Sequence, residues 1–241
     1  MELVFDIFRE RKREIKAHID FIRLHEKSLG SIKIPSTPEQ YQILLACAYI
    51  LIYNMIEATI LKFLEILEQE LFKNISCPYT LIPELKKEWV KNELGTSEQL
   101  TTEKRLDKAM KFLEFFSGQG AFKIKITSGG GGNWDDEAIY ELSKRLGIDL
   151  SKIPKKVTTG VKRHIVNNMG CIKLVVDLRN KLAHGGISFC ECGKDRDLKD
   201  VEQIFKKTCA YIEGVISSFK RFIDEKNYII KNNEQLALRA S

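Results

Sequence analysis

Residues 37–57 read TPEQYQILLACAYILIYNMIE, and this stretch decides the fold class. It begins with a strong helix start signal. Thr37 can cap the helix, a proline suits the first helical position, and Gln40 can close a capping box. The dense apolar run at 43–53 is typical of a helix that is buried on most sides. We therefore expect a central helix that runs to about Phe72.

The same apolar run does not predict a membrane span. It is shorter than the roughly 20 residues that cross a bilayer. Polar side chains follow it within the next turns, namely Asn54, Glu57, Lys62 and Glu65. The N-terminal sequence MELVFDIFRERKREIK is charged from its second residue and lacks the apolar core of a signal peptide. The sequence therefore favours a cytoplasmic protein without a membrane partner, whose six cysteines are free thiols.

The composition is that of a globular protein with a small basic surplus. Of 241 residues, 44% are apolar and 30% are charged, and a chain of this length can bury a core without disulfides or metal. The 39 Lys and Arg residues exceed the 33 Asp and Glu residues, which gives a net charge of +6. This surplus is compatible with nucleic-acid binding but does not establish it.

Helical spacing extends over almost the whole chain. We expect one all-α domain over residues 1–241, with a core at about 38–230 and a polar tail at 231–241. Beside the central helix, helices are expected at about 5–28, 82–93, 102–116, 133–147 and 159–184, then a loop at 185–196 and a last long helix from Asp197. No internal repeat and no long linker divides the sequence.

Residues 118–133 are the region without a helical pattern. FKIKI at 122–126 alternates apolar and basic side chains, as a short extended segment does, and a glycine run follows at 129–132. A phosphate-binding loop would need a Gly-Lys-Ser/Thr ending, which the sequence lacks. We therefore expect a short irregular or extended insertion, followed by a helix that Asn133 caps.

Arg179, Asn180 and His184 form the most suggestive group of polar residues. They lie in DLRNKLAHGG, where two glycines mark the end of a helix. Arg179 and His184 are about 140° apart on an ideal helix, so they can converge only because the helix is ending. A guanidinium, an imidazole and an amide suffice for metal-independent cleavage of RNA, in which the 2′-hydroxyl is the internal nucleophile.

The sequence RNKLAH at 179–184 resembles the Arg-(four to six residues)-His signature of the HEPN superfamily. The surrounding segments agree: YNMIE at 53–57, GNW at 132–134, and SF at 188–189 before a final long helix. The likeness extends over about residues 40–230 and is to the long prokaryotic HEPN toxins of toxin–antitoxin and phage-defence loci. It implies an all-α HEPN-like helical bundle with extra helices, and a homodimeric endoribonuclease that needs no metal and no cofactor.

The resemblance also assigns roles and partners. It places Arg179 and His184 at the catalytic positions and Asn180 at the polar position after the arginine. RNA is the expected substrate, and an antitoxin or another defence-system protein can be a partner. HEPN toxins that pair with a nucleotidyltransferase antitoxin usually carry Tyr two residues after the histidine, whereas this chain has Gly186. A different inhibitor, or none, is therefore expected.

A homodimer would bring two copies of the motif together across a two-fold axis. We expect its seam to be formed by the helix that ends at His184 and by the final helix, because their apolar stripes are wider than one bundle needs. Four basic residues on the way to the motif are expected to bind the RNA backbone, namely Lys155, Lys156, Lys162 and Arg163. The basic cluster at 9–13 is a second candidate for the same contact, although charge runs of both kinds are more typical of solvated faces.

Three weaker hypotheses remain beside this one. Cys190, Cys192 and His184 offer three soft metal ligands, whereas structural zinc needs four. Glu57 is unusual on an apolar helix, and it can orient a core arginine or the active-site loop, or be a rim carboxylate. The alternative function is a non-catalytic HEPN module that binds nucleotide or protein. A metal-dependent nuclease is disfavoured, because no carboxylate pair with a histidine has ligand spacing.

Overall fold

The chain is built from α-helices joined by short connections. The computed structural model describes residues 1–28, 37–94, 101–116, 122–128, 132–165 and 168–231. Its helices are α1 (Glu2–Ser28), α2 (Pro38–Asn74), α3 (Pro83–Leu94), α4 (Thr102–Phe116), α5 (Asp136–Arg145), α6 (Lys155–Lys162), α7 (Cys171–Ala183), α8 (Phe189–Lys194) and α9 (Leu198–Asp224). No strand forms in these ranges, where Leu81 and Ile229 make an isolated β-bridge. The expected all-α class is confirmed.

Helix α2 is the centre of the bundle, as the sequence predicts. Helices α1, α7, α8 and α9 all pack against it. Its most apolar 18-residue window has a mean hydropathy of 1.9, which suits a membrane span by length and composition, but 56% of that window is buried inside the fold. Burial on several sides by the same chain is typical of a bundle's core helix.

Capping boxes confirm the predicted starts of α2 and α9. The Thr37 hydroxyl accepts a hydrogen bond from the Gln40 N–H at 3.3 Å, and Gln40 Oε1 accepts one from the Thr37 N–H at 3.0 Å. Asp197 and Asp200 form the same reciprocal pair at the start of α9. Both helices therefore begin where local hydrogen bonding satisfies their free N–H groups.

The apolar stripes of α7 and α9 are buried within the chain itself. Helix α9 buries side chains from Val201 to Ile223 and packs against α1, α2, α6 and α7. Helix α7 buries Ile172, Val176 and Leu182 in the same core. The reason for placing a dimer seam on these stripes is therefore wrong, because neighbouring helices of the same chain already cover them.

The helix predicted over 159–184 is in fact two helices, α6 and α7. Asn168, between them, has a φ of +60°, which a continuous right-handed helix does not allow. A Cβ on Gly170 would lie 2.4 Å from the carbonyl oxygen of Val161, so α7 starts in close contact with α6. The prediction failed because the apolar spacing continues across the turn.

Helix α8 lies in the stretch predicted as a loop. The Ser188 hydroxyl accepts from the Glu191 N–H at 3.1 Å, and Glu191 Oε2 accepts from the Ser188 N–H at 2.7 Å. This capping box makes a short helix whose Gly193 touches α2, since a Cβ there would lie 2.1 Å from the Gln42 carbonyl oxygen. The Ser-x-x-Glu pattern was the overlooked signal.

The predicted insertion has the expected alternation where the structure describes it. Phe122, Ile124 and Ile126 are buried, whereas Lys123 and Lys125 are exposed. Residues 118–121 and the glycines at 129–131 lie outside the described residues, and so do residues 232–241 of the expected polar tail. The extent of the domain, residues 1–241, remains a prediction.

Candidate active site

Helix α7 ends at the motif, as its two glycines predict. His184 is the C-cap residue, and its backbone N–H donates to the Asn180 carbonyl oxygen at 3.0 Å. Gly185 follows with a φ of +70°, a conformation that favours glycine, and it turns the chain away from the helix. The His184 side chain is exposed to solvent at this helix end.

Arg179 is held by contacts from two distant segments of the chain. Its guanidinium carbon lies 3.8 Å from the centroid of the Tyr53 ring on α2, which is a close cation–π arrangement. Its Nη2 donates to the Gly132 carbonyl oxygen at 3.2 Å and lies 3.7 Å from Glu57 Oε1. The Arg179 side chain keeps 21% of its surface exposed. It is therefore fixed in orientation and still accessible.

Asn180 links Arg179 to the segment that precedes α5. Its Oδ1 accepts a hydrogen bond from Arg179 Nη1 at 2.8 Å, and its Nδ2 donates to Asn133 Oδ1 at 2.9 Å. These two bonds require the amide oxygen to face the guanidinium and the amide nitrogen to face Asn133. Arg179 and Asn180 thus form one hydrogen-bonded unit.

Asn133 does not cap α5, which corrects the sequence prediction. Asp135 is the cap, because its carboxylate accepts a hydrogen bond from the Ala138 N–H at 2.8 Å. Trp134, between the two, is buried and has 2% of its surface exposed. The buried indole anchors this segment to the core. Asn133 therefore reaches α7, and α5 begins at Asp136.

Arg179 and His184 leave α7 in different directions. Arg179 lies over the Tyr53 ring, while His184 is exposed at the cap, about 7.5 Å further along the helix axis. No hydrogen bond joins their side chains in the described part of the chain. The structure thus brings Arg179 and Asn180 together and places His184 at the same helix end, with its side chain in solvent.

The predicted RNA-binding residues lie on or directly after α6, whose last turn contacts the start of α7 at Gly170. Lys155, Lys156, Lys162 and Arg163 are all exposed on or directly after α6. Helix α6 packs at the start of α7, and the 13 residues of α7 separate that point from His184 by about 20 Å. Lys162 and Arg163 therefore form a neighbouring surface and do not contact Arg179.

Acidic side chains face part of this basic cluster. Lys162, His164 and Lys173 line a surface cleft of about 420 Å³ together with Asp135 and Asp136. Partial burial raises the pKa of the Asp136 carboxyl above its ordinary value, while Lys162 opposes that rise.

The basic cluster at 9–13 is also partly neutralised, since Arg9, Arg11 and Lys12 form ion pairs with Glu2, Asp6, Glu14 and Glu213.

Cys190 and Cys192 are not arranged as metal ligands. Cys192 is buried, and this burial raises the pKa of its thiol to about 11. The Cys190 sulfur is directed to the Glu39 carbonyl oxygen at 4.0 Å. Across the ranges that the structure describes, no group of three or more His, Cys, Asp and Glu side chains is placed to share an ion.

Tyr53 and Asn133 lie in segments that carry the family resemblance, but their contacts with the site were not predicted from the sequence. Tyr53 and Glu57 are four residues apart on α2 and share one face, and the Tyr53 hydroxyl donates to Glu57 Oε1 at 3.4 Å. The four-residue spacing of Tyr53 and Glu57 was the available signal for these two residues. Glu57, which the sequence left open, contacts Arg179 and therefore belongs to the site rather than to a separate rim.

Comparison with known proteins gives one family. The model of the family described as HEPN_MAE_28990-like HEPN matches residues 2–228, which is nearly the whole chain. Searches of curated proteins and of solved structures found no significant match.

Proposed function

The chain belongs to the HEPN family, and from this premise we propose that it is a metal-independent endoribonuclease. Members of this family are commonly RNases or nucleotide-binding modules. The observation that carries the proposal is the fixed guanidinium of Arg179, hydrogen-bonded to Asn180 at the helix end that also presents an exposed His184. The proposal requires these three groups, a cation, an amide and an imidazole, to act on one phosphodiester.

The proposed reaction uses the substrate's own nucleophile. The ribose 2′-oxygen attacks the adjacent phosphorus, and the bond from phosphorus to the 5′-oxygen breaks. His184 accepts the proton of the 2′-hydroxyl and donates a proton to the departing 5′-oxygen. Arg179 stabilises the added negative charge of the phosphorane, and Asn180 supports it with its amide. The products are a 2′,3′-cyclic phosphate and a 5′-hydroxyl.

This reaction asks little of the protein beyond proton transfer and charge stabilisation. A metal ion would serve to activate a water or to neutralise the phosphorane. Here the 2′-hydroxyl replaces the water, and the permanent charge of Arg179 takes the second role. Arg179 is partly shielded from water by the Tyr53 ring, which strengthens its electrostatic effect on a bound phosphate.

We propose that the active unit is a homodimer in which two copies of the motif face each other. One Arg179 and one His184 provide a single cation and a single proton carrier, whereas the reaction needs a base, an acid and charge stabilisation together. A two-fold axis beside the helix end doubles each of these groups in one groove. The exposed Lys155, Lys156, Lys162 and Arg163 then flank the RNA at a distance of a few nucleotides.

The biological setting of the proposal is a cytoplasmic toxin or an antiphage defence effector. It rests on the resemblance of RNKLAH and its surrounding segments to HEPN toxins. Gly186 stands where a nucleotidyltransferase antitoxin would find its tyrosine, and this glycine disfavours control by that modification. A partner that covers the exposed His184 would control the activity directly.

The test is incubation of the purified protein with total RNA in the presence of EDTA. We expect fragmentation by the wild-type chain and none by His184→Ala or Arg179→Ala. Two matched controls should cleave normally. His25→Ala removes another histidine, on α1, and Arg9→Ala removes another arginine, one whose ion pairs are exposed. Intact RNA in the wild-type reaction would favour the alternative, a non-catalytic module that binds nucleotide or protein.

A further inference from the structure

We propose that Glu57 is a positioning residue for the RNase site, which fixes the orientation of Arg179 without touching RNA. The inference rests on the proposed function and adds a residue outside the Arg-to-His motif. Glu57 Oε1 lies 3.7 Å from Arg179 Nη2 and accepts the Tyr53 hydroxyl at 3.4 Å. Glu57 therefore connects the two groups that hold the guanidinium.

The position of Glu57 makes a role in stability alone a poor explanation. Its side chain is 32% exposed and that of Arg179 is 21% exposed, and an ion pair at this exposure contributes little to folding. Neighbouring positions on α2, such as Met55 and Ile56, are fully buried apolar residues. Glu57 is thus a partly exposed carboxylate next to buried apolar positions, and its contacts are with Arg179 and Tyr53 rather than with the core.

The contacts restrict the guanidinium in two independent ways. The Tyr53 ring covers one face of the guanidinium plane and stops it from tilting. Glu57 and the Gly132 carbonyl oxygen both lie at Nη2, so they stop rotation within that plane. The five N–H groups of an arginine allow further donors to remain for a phosphate once these contacts are made. The preorganised orientation lowers the cost of reaching the phosphorane.

A negative charge beside a phosphate-binding cation also carries a cost, which makes the inference testable. Glu57 repels the RNA backbone, so its removal should strengthen RNA binding or leave it unchanged. The same removal should slow cleavage, because Arg179 loses its fixed orientation. A residue that merely stabilised the fold would weaken binding and cleavage together as the folded fraction fell.

The experiment compares Glu57→Gln and Glu57→Asp with the wild type. Glu65→Gln is the matched control, since Glu65 lies on the same helix and pairs with Lys62 rather than with the site. Single-turnover cleavage is measured with one RNA. Equilibrium binding is measured with the same sequence carrying 2′-O-methyl groups, which prevent its cleavage. The rate at which phenylglyoxal modifies Arg179 is followed by peptide mass spectrometry. This rate measures how firmly the guanidinium is held, and it does not depend on RNA cleavage.

For Glu57→Gln we expect cleavage to slow between about 10-fold and 100-fold, with unchanged or tighter RNA binding and faster modification of Arg179. Glu57→Asp keeps the charge and should recover part of the rate, while Glu65→Gln should match the wild type. Unchanged cleavage by Glu57→Gln, or a loss that parallels weaker RNA binding, would overturn the proposal. If the wild type cleaves no RNA, the RNase function fails, and the phenylglyoxal rates still show whether Glu57 holds Arg179.

Discussion

The guanidinium carbon of Arg179 lies 3.8 Å from the centroid of the Tyr53 ring. This contact joins the C-terminal part of α7 to the middle of α2, the central helix of the bundle. Tyr53 itself has 2% of its surface exposed, so the platform beneath the cation cannot move without disturbing the core. The candidate site is therefore built on rigid elements, which hold the charge of Arg179 in one position.

His184→Ala and Arg179→Ala should both abolish RNA cleavage, but they should differ in stability. The exposed His184 side chain has no packing role, so its removal should leave the melting temperature unchanged. Arg179→Ala loses the Tyr53 contact and the ion pair with Glu57, and should cost about 1–2 kcal/mol. Circular dichroism melts beside the cleavage assay measure both effects. Loss of helical signal in His184→Ala would contradict a catalytic role for that residue.

The chemistry of the cut should depend on the ribose 2′-hydroxyl. We expect 2′,3′-cyclic phosphate and 5′-hydroxyl ends, because the proposed reaction needs no activated water. DNA of the same sequence, and RNA with a 2′-O-methyl group at the cut, should remain intact. Mass spectrometry of the fragments identifies the ends. Efficient cleavage of DNA would exclude the mechanism, since that substrate lacks the attacking group.

Gly193→Ala should destabilise the bundle where α8 meets α2. A Cβ at Gly193 would lie 2.1 Å from the Gln42 carbonyl oxygen, so one of the two backbones must shift, at a cost of about 1–3 kcal/mol. Gly160→Ala is the matched control. A Cβ there meets nothing within 4 Å, and alanine in a helix should add about 0.5–1 kcal/mol. Urea titrations compare the two, and equal stability of both variants would argue against the close α8–α2 contact.

The sequence predicts those parts of the fold that are set by neighbouring residues. The Thr37 and Asp197 capping boxes mark the starts of α2 and α9, and apolar spacing correctly identifies the central helix. The break between α6 and α7 is different, because there the start of α7 is packed closely against Val161 through Gly170. No local pattern contains that contact, and the apolar spacing on both sides conceals it.

The candidate site, too, is predicted by the sequence only where neighbouring residues determine it. The motif itself locates Arg179, Asn180 and the helix end at His184. The contacts that orient Arg179 come from α2 and from the segment at 132–133, and they exist only once the chain has folded. Sequence reasoning assigned Asn133 to helix capping because asparagine is a good cap, although Asp135 has the correct spacing to Ala138.

The active species should be a symmetric dimer, and its seam should lie where α8 meets the start of α2. The stripes of α7 and α9 are buried, whereas Ile43 on α2 and Phe189 at the start of α8 are among the twelve exposed large apolar side chains of the described residues, and Phe189 lies nearest to the motif in sequence. Phe189 follows His184 by one short loop, so a two-fold axis here brings the two motifs close together. Light scattering under assay conditions should give a mass near twice 27.7 kDa.

Substitution of the exposed apolar residues tests where that seam lies. Phe189→Glu should lower the measured mass and the cleavage rate together, because the composite groove is lost when the chains separate. Phe72→Glu is the matched control, since Phe72 is 63% exposed at the opposite end of α2.

Mixed dimers of Arg179→Ala and His184→Ala chains should recover part of the cleavage, as each supplies the group that the other lacks. A fully active species that stays at 27.7 kDa would exclude the two-chain site.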